Sequence, residues 1–257
     1  MFCGSAIVEL RGLDKLDTHR VSSMRSMFEG STIGNIDVSN FDTSNVIDMS
    51  RMFNGFATRK IDISNFDTSA LEDADEIFQG FDGDIIGLEK MDFTRIKTMR
   101  HMFQDCVCIN GSVNIDSRAV EDMKQMFRGS KLKNVKIINR KETLRDVREM
   151  FAFCDIETVD VSGLNLNNVG TIEGMFMKSK IGHLEGLNKM KVKGLFDATR
   201  AFAMCDTDVI NITSFDVDNI VIVENMLVDC KARIIMKKNQ KNNRKLDLSN
   251  LDVAYID

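Results

Sequence analysis

The sequence predicts an α/β solenoid, a curved array of about nine to ten strand–helix coils with one parallel sheet on its concave side. Three observations predict it. One phrase recurs at near-constant intervals along the whole chain, each copy carries apolar residues at helical spacing, and most carry a short run with strand alternation.

The repeat comes first. "SNFDTSNVIDMSRMFNGF" at 39–56 is followed by "SNFDTSALEDADEIFQGF" at 64–81. The pair Met-Phe, or a variant of it, marks each copy: Met27-Phe28, Met52-Phe53, Ile77-Phe78, Met102-Phe103, Met126-Phe127, Met150-Phe151, Met175-Phe176, Ala201-Phe202 and Met226-Leu227. Met1-Phe2 begins the same phrase. No linker interrupts the array, so residues 1–257 read as one solenoid domain.

Relative to each anchor Phe, apolar residues stand at −7, −4, −1 and 0, as in Val46, Met49, Met52 and Phe53. That spacing lines one face of a helix of two to three turns. Asp42-Thr43-Ser44 and Asp67-Thr68-Ser69 precede it as helix caps, and Ser69 with Glu72 fits a capping box. The recurring "FDTS" is thus read as a cap and not as a catalytic carboxylate. After each anchor comes the strand signal, such as "IDV" at 36–38, "IDI" at 61–63, "VKI" at 135–137 and "VDV" at 159–161. A unit this small cannot bury its own apolar face, so successive coils must stack and share a core.

Composition excludes several classes. No run of apolar residues is long enough to span a membrane, and the first residues hold no signal-peptide pattern. Cys106-Val-Cys108 is too short for a zinc site, and His19, His101 and His183 fall in separate coils. No catalytic, cofactor-binding or metal-binding residue is therefore assigned. A net charge of −5, one Tyr and no Trp argue against nucleic acid as a partner.

The phrase "IDVSNFDTSNVIDMSRMFNG" closely resembles the BspA-type leucine-rich repeat of bacterial surface proteins, which includes a mycoplasma lipoprotein repeat family. The likeness spans the chain, recurs at 246–252 as "LDLSNLD", and is eroded around 107–150 and 181–205. It implies a leucine-rich-repeat-like fold, Cys in the slot three positions after the anchor, and binding of other proteins. Family members include exported adhesins, and similar arrays occur in viruses and phages.

The expected function is a non-catalytic scaffold that binds another protein through its concave face, placed in the cytoplasm if the chain is full length. Two alternatives stand beside it: an exported adhesin, at the cell surface or secreted, if the chain is a fragment, and a viral or phage factor that binds and inhibits a host protein. The outward residues of the strands supply the candidate site: Asp37, Ser39, Lys60, Asp62, Ser64, Lys136, Asp160, His183 and Glu185. One stretch breaks the rhythm, "KARIIMKKNQKNNRK" at 231–245, with seven basic residues and no acidic one. Its strand falls at 234–236 or, by closer match to the phrase, at 246–248. Lys237, Lys238, Lys241, Arg244 and Lys245 are read as a possible basic contact. The ends of the stack offer a route to self-association.

Overall fold

The computed structural model describes residues 1–217, 219–242 and 246–257. It is a β-solenoid of about nine turns, built of strands that all pair in parallel. In chain order the strands are β1 (Ala6–Glu9), β2 (Thr32–Asn35), β3 (Lys60–Asp62), β4 (Asp84–Ile86), β5 (Val107–Ser117), β6 (Lys131–Asn139), β7 (Asp155–Gly163), β8 (Lys180–Glu185), β9 (Val209–Asn211), β10 (Arg233–Lys237) and β11 (Val253–Ile256). They do not make the single sheet expected. Four sheets form, β1-β2, β3-β4, β5-β6-β7-β8 and β9-β10-β11, joined by isolated bridges such as Thr32 to Ala57 and Lys180 to Asp206. The longest strands, of 9 to 11 residues, are β5, β6 and β7.

The helices are absent. Among the described residues no α-helix forms, and four short 3-10 segments are the only helical elements. The reason lies in where the amides point. Around Phe28, the N–H groups of Met27, Glu29 and Ser31 bond three residues back, to Met24, Ser26 and Phe28. Those of Met24, Ser26, Phe28 and Gly30 leave the segment and donate to Asp48, Ser50, Met52 and Asn54 of the next coil, at 2.7–2.9 Å. A helix keeps every interior N–H within itself; here half of them hold neighbouring coils together.

Left-handed residues make this possible. Two positions before each anchor φ is +53° to +59°, at Ser26, Arg51, Glu76, His101, Gln125, Glu149, Gly174, Arg200 and Asn225. Two positions after it φ is again positive, often at glycine, as in Gly30, Gly55, Gly80 and Gly129. Each is the third residue of a four-residue turn, where a type II turn requires positive φ. Two such turns back to back return side chains −4, −1, 0 and +3 to one side. Sequence spacing alone cannot separate that pattern from a helix.

Stacking these turns builds the core. Phe2, Phe28, Phe53, Phe78, Phe103, Phe127, Phe151, Phe176 and Phe202 form one column, with neighbouring centroids 5.2–5.9 Å apart and rings within 20° of parallel. Apart from Phe2, all are buried. Such offset stacks add to the stabilisation from burial itself. The next position holds Leu227, which ends the aromatic column. The residue three after the anchor is also buried: Phe56 and Phe81 pack on the ladder, while Ser130 and Ser179 return their hydroxyls to the carbonyls of Phe127 and Phe176 at 2.8 Å. Cys106, Cys154, Cys205 and Cys230 fill the slot elsewhere as free, buried thiols.

The aspartates form the corners. In each Asp-x-Ser or Asp-x-Thr the carboxylate accepts the amide two residues on: Asp37 from Ser39, Asp42 from Ser44, Asp48 from Ser50, Asp67 from Ser69. The "FDTS" aspartates therefore cap turns, not helices. The expected Ser69–Glu72 capping box does not form, because Glu72 reaches Lys97 at 2.6 Å and Arg95 at 3.3 Å in the next coil. Between these corners the threonines join coils. Thr18 accepts the Asp42 amide, Thr43 that of Asp67, and Thr68 that of Asp92, at 2.7–2.8 Å.

Three coils replace the Asp-x-Ser corner by Gly-Leu-x-Lys, a recurrence visible in the sequence but not read from it. Leu13–Lys15, Leu88–Lys90 and Leu187–Lys189 each form one 3-10 turn behind a left-handed glycine. A Cβ on Gly87 would fall 2.5 Å from the Ser64 backbone, so the corner needs glycine for space as well as for φ. At the C-terminal end the strand is β10, not 246–248. Ile234 and Met236 bury themselves in the core, and Gln240, itself buried, donates to the Phe215 carbonyl at 2.6 Å and locks the following segment down.

Candidate functional site

The sheet β5-β6-β7-β8 has four strands, more than any other, and its pairing shifts register only between Cys108 and Ser112 and between Lys136 and Ile138. Alternation buries Leu132, Val135 and Ile137 of β6 and Ile156, Val159 and Val161 of β7. The residues between them point out. Cross-strand pairing aligns Asn114, Lys136, Asp160 and Glu185 in one row. Ser112, Asn134, Thr158 and His183 form the next. Lys136 Nζ lies 3.0 Å from Asp160 Oδ2, and Asn134 donates to Ser112 Oγ at 3.1 Å. Burial pushes the Asp160 carboxyl up, but bonds from Ser162 and the Lys136 ammonium outweigh it and hold it below the usual range. Glu185 is exposed at the edge of the row, and the His183 ring lies 3.5 Å from Asp208.

The other sequence-derived residues lie elsewhere. Lys60 and Asp62 belong to the small sheet β3-β4, where Lys60 pairs in register with Asp84. Asp37 and Ser39 follow β2 and sit in no strand. Asp37 and Asp62 each accept the amide of the serine two residues on, and bonds from that serine, its side chain first and its amide second, hold both carboxyls low. Ser64 serves that turn, and its carbonyl receives Lys90 Nζ at 3.4 Å. The structure thus unites Lys136, Asp160, His183 and Glu185 and leaves the rest apart. Of the basic stretch, Lys237 donates its amide to Gln240 Oε1 and Lys238 pairs with Asp257. Arg244, Lys245 and the side chain of Lys241 lie outside the described residues.

One row was missed by sequence reading. Four residues after the anchor come Lys131, Asp155, Lys180, Asp206 and Lys231, an alternation of charge legible once the anchors are aligned. In the fold they are stacked neighbours, with Lys180 3.9 Å from Asp155 and Lys231 3.8 Å from Asp206. The sheet face therefore presents ordered polar rows of both signs at the spacing of the strands, about 4.8 Å. Among the described residues no three His, Cys, Asp or Glu side chains converge to hold a metal ion, and no helix is long and apolar enough to cross a membrane.

Stacked turns and a shared aromatic column define a repeat solenoid protein. Residues 1–110, 79–187 and 145–251 each match the family model described as "Mycoplasma protein of unknown function, DUF285". The overlapping matches cover nearly the whole chain, and the chain belongs to that family. No curated protein and no solved structure matches it.

Proposed function

We propose that the protein is a non-catalytic scaffold that binds another protein through the outward face of β5-β6-β7-β8. The carrying observation is the row Asn114–Lys136–Asp160–Glu185, fixed in register on strands whose other faces are buried. A rigid array of charged and amide side chains binds without losing much conformational freedom, which is how repeat proteins use an extended surface. Off this face, Asp37, Asp62 and Asp73 each accept the amide two residues on, which favours a structural account of them over a catalytic one. A relationship to the BspA-type surface proteins, and action either in the cytoplasm or after export, belong to this proposal.

The test is affinity capture with the intact chain, followed by binding measurements with Lys136→Glu and Glu185→Lys. Neither side chain closes a turn, so both variants should fold. Binding should weaken tenfold or more, about 1.4 kcal/mol, and should fall with added salt. Unchanged affinity in both variants would place the interface elsewhere.

A further inference from the structure

The turn around Leu227 carries an unfinished ladder. In the penultimate turn the N–H groups of Ala198, Arg200, Phe202 and Met204 donate to the carbonyls of Ile222, Glu224, Met226 and Val228 at 2.7–2.9 Å. The equivalent donors of the last turn are Val223, Asn225, Leu227 and Asp229, and none of the four has an acceptor among the described residues. The carbonyls of Val223, Asn225 and Leu227 are engaged within the turn, by Met226, Val228 and Cys230. What remains is a row of donors at every second residue.

These donors line a groove of about 510 Å³ between 223–231 and the returning segment of Leu246, Asp247, Ser249, Asn250 and Leu251. The described part of the returning segment, 246–252, lines the groove without accepting from these donors, and the step from Ile234 of β10 to its partner Val253 of β11 is shorter than that of an inner coil. An inner coil, such as that from Ile61 to its partner Ile85, is longer and includes a Met-Phe turn or its variant, here Ile77-Phe78. Strand β11 has its place in the stack, and among the described residues no turn bonds over Leu227.

We propose that this groove is a docking site for a short segment of a partner polypeptide folded like an inner turn, which completes the ladder with its carbonyls. Backbone addition of this kind supplies affinity, and the side chains around it supply choice. Here Glu224 and Asp229 are exposed beside the donors and Asp247 faces them across the groove, with Lys231 at one end. Among the described residues the rim carries three acidic side chains against the one lysine, which disfavours a free anion and favours basic side chains on the incoming segment. Val221 and Ile222, exposed by 68% and 42%, give it an apolar shoulder at the start of the turn. A second copy of the chain stacked head to tail does not fit, since its β1 follows the Phe2 turn directly and would fall where β11 lies.

The inner turns specify a probe. Residues are stacked by position in the phrase, so an occupant with Lys in the place of Glu224 would set that ammonium over the carboxylate. The acetylated and amidated peptide Val120–Ser130 has Lys124 there and carries no strand. Added to the intact ¹⁵N-labelled protein, it should shift the amides of Val223, Asn225, Leu227 and Asp229 and slow their hydrogen exchange. Glu224→Lys in the protein should weaken binding at least tenfold, and Lys124→Glu in the peptide should restore it. Three results would overturn the proposal: these amides being protected in the free protein, shifts confined to other residues, or protection that rises with protein concentration alone and so marks a second copy.

Discussion

Phe127 shows what one residue of the repeat does. Its ring is stacked between Phe103 and Phe151 at 5.4 and 5.2 Å and is fully buried. Phe127→Ala should cost about 3–5 kcal/mol, read as a lower denaturation midpoint. Glycine positions separate two effects. Gly80 needs only its positive φ, since an added Cβ would meet nothing nearer than 3.8 Å. Gly80→Ala should therefore cost about 1–2 kcal/mol. Gly87→Ala, with the Ser64 backbone 2.5 Å from the new carbon, should cost distinctly more. The thiols divide in the same way. Burial raises those of Cys106 and Cys154 far above the usual range and that of Cys205 to about 12, while Cys3 is exposed. A thiol reagent should label Cys3 quickly and these three only on unfolding. Burial of the anchor residues was legible from their type and period. The need for glycine at 87 was not, because it arises from the backbone at Ser64 in the preceding coil.

At the scale of the element, the same apolar positions were read correctly as core and wrongly as helix. Residues three and four apart share a side in both a helix and a pair of type II turns, so periodicity cannot choose. The choice is made by the coil-to-coil hydrogen bonds, which no local pattern encodes. Far-UV circular dichroism should accordingly lack an α-helical double minimum. The corners make a second prediction. Asp122 accepts the Lys124 amide at 2.8 Å in a column that also holds Asp146, and burial first, then the neighbouring carboxylates, raise its pKa. A raised carboxyl makes its ionised form a cost to folding at neutral pH, and that cost fades as pH falls through the folded-state value. Asp122→Asn keeps the acceptor oxygen and should raise the thermal midpoint at neutral pH, with the gain disappearing in acid. Asp67 has the opposite sign. Its bonds from Ser69 lower its pKa, so its contribution is full above the ordinary carboxylate range and lost as pH falls through the folded-state value.

For the whole molecule, stability should behave as a sum over neighbours. Deleting residues 103–126 joins Met102 to Phe127 and leaves the phrase unbroken. The shortened chain should fold, with a lower midpoint and an unchanged spectrum per residue. Such a deletion also removes β5, so it should abolish binding at the proposed sheet face if Asn114 is part of it. The extent of the array could be read from the anchors alone. The site was legible only in part: outward positions such as Lys136, Asp160 and Glu185 follow from alternation, but which coils share a sheet depends on strand lengths that the phrase does not fix. The unidirectional amides of the turns have a last effect. In each turn the N–H groups that leave it point toward the next coil, never back. Peptide dipoles of about 3.5 D thus add from turn to turn along the stack, whereas those of the strands largely cancel. The column of turns has an electrical axis with its positive pole toward the C-terminal end, opposed in part by the amides that enter the turns, such as Ile47 and Lys97, which donate to the preceding coil. The peptide field of the turns therefore opposes that of the exposed acidic side chains Glu224 and Asp229 at the same end.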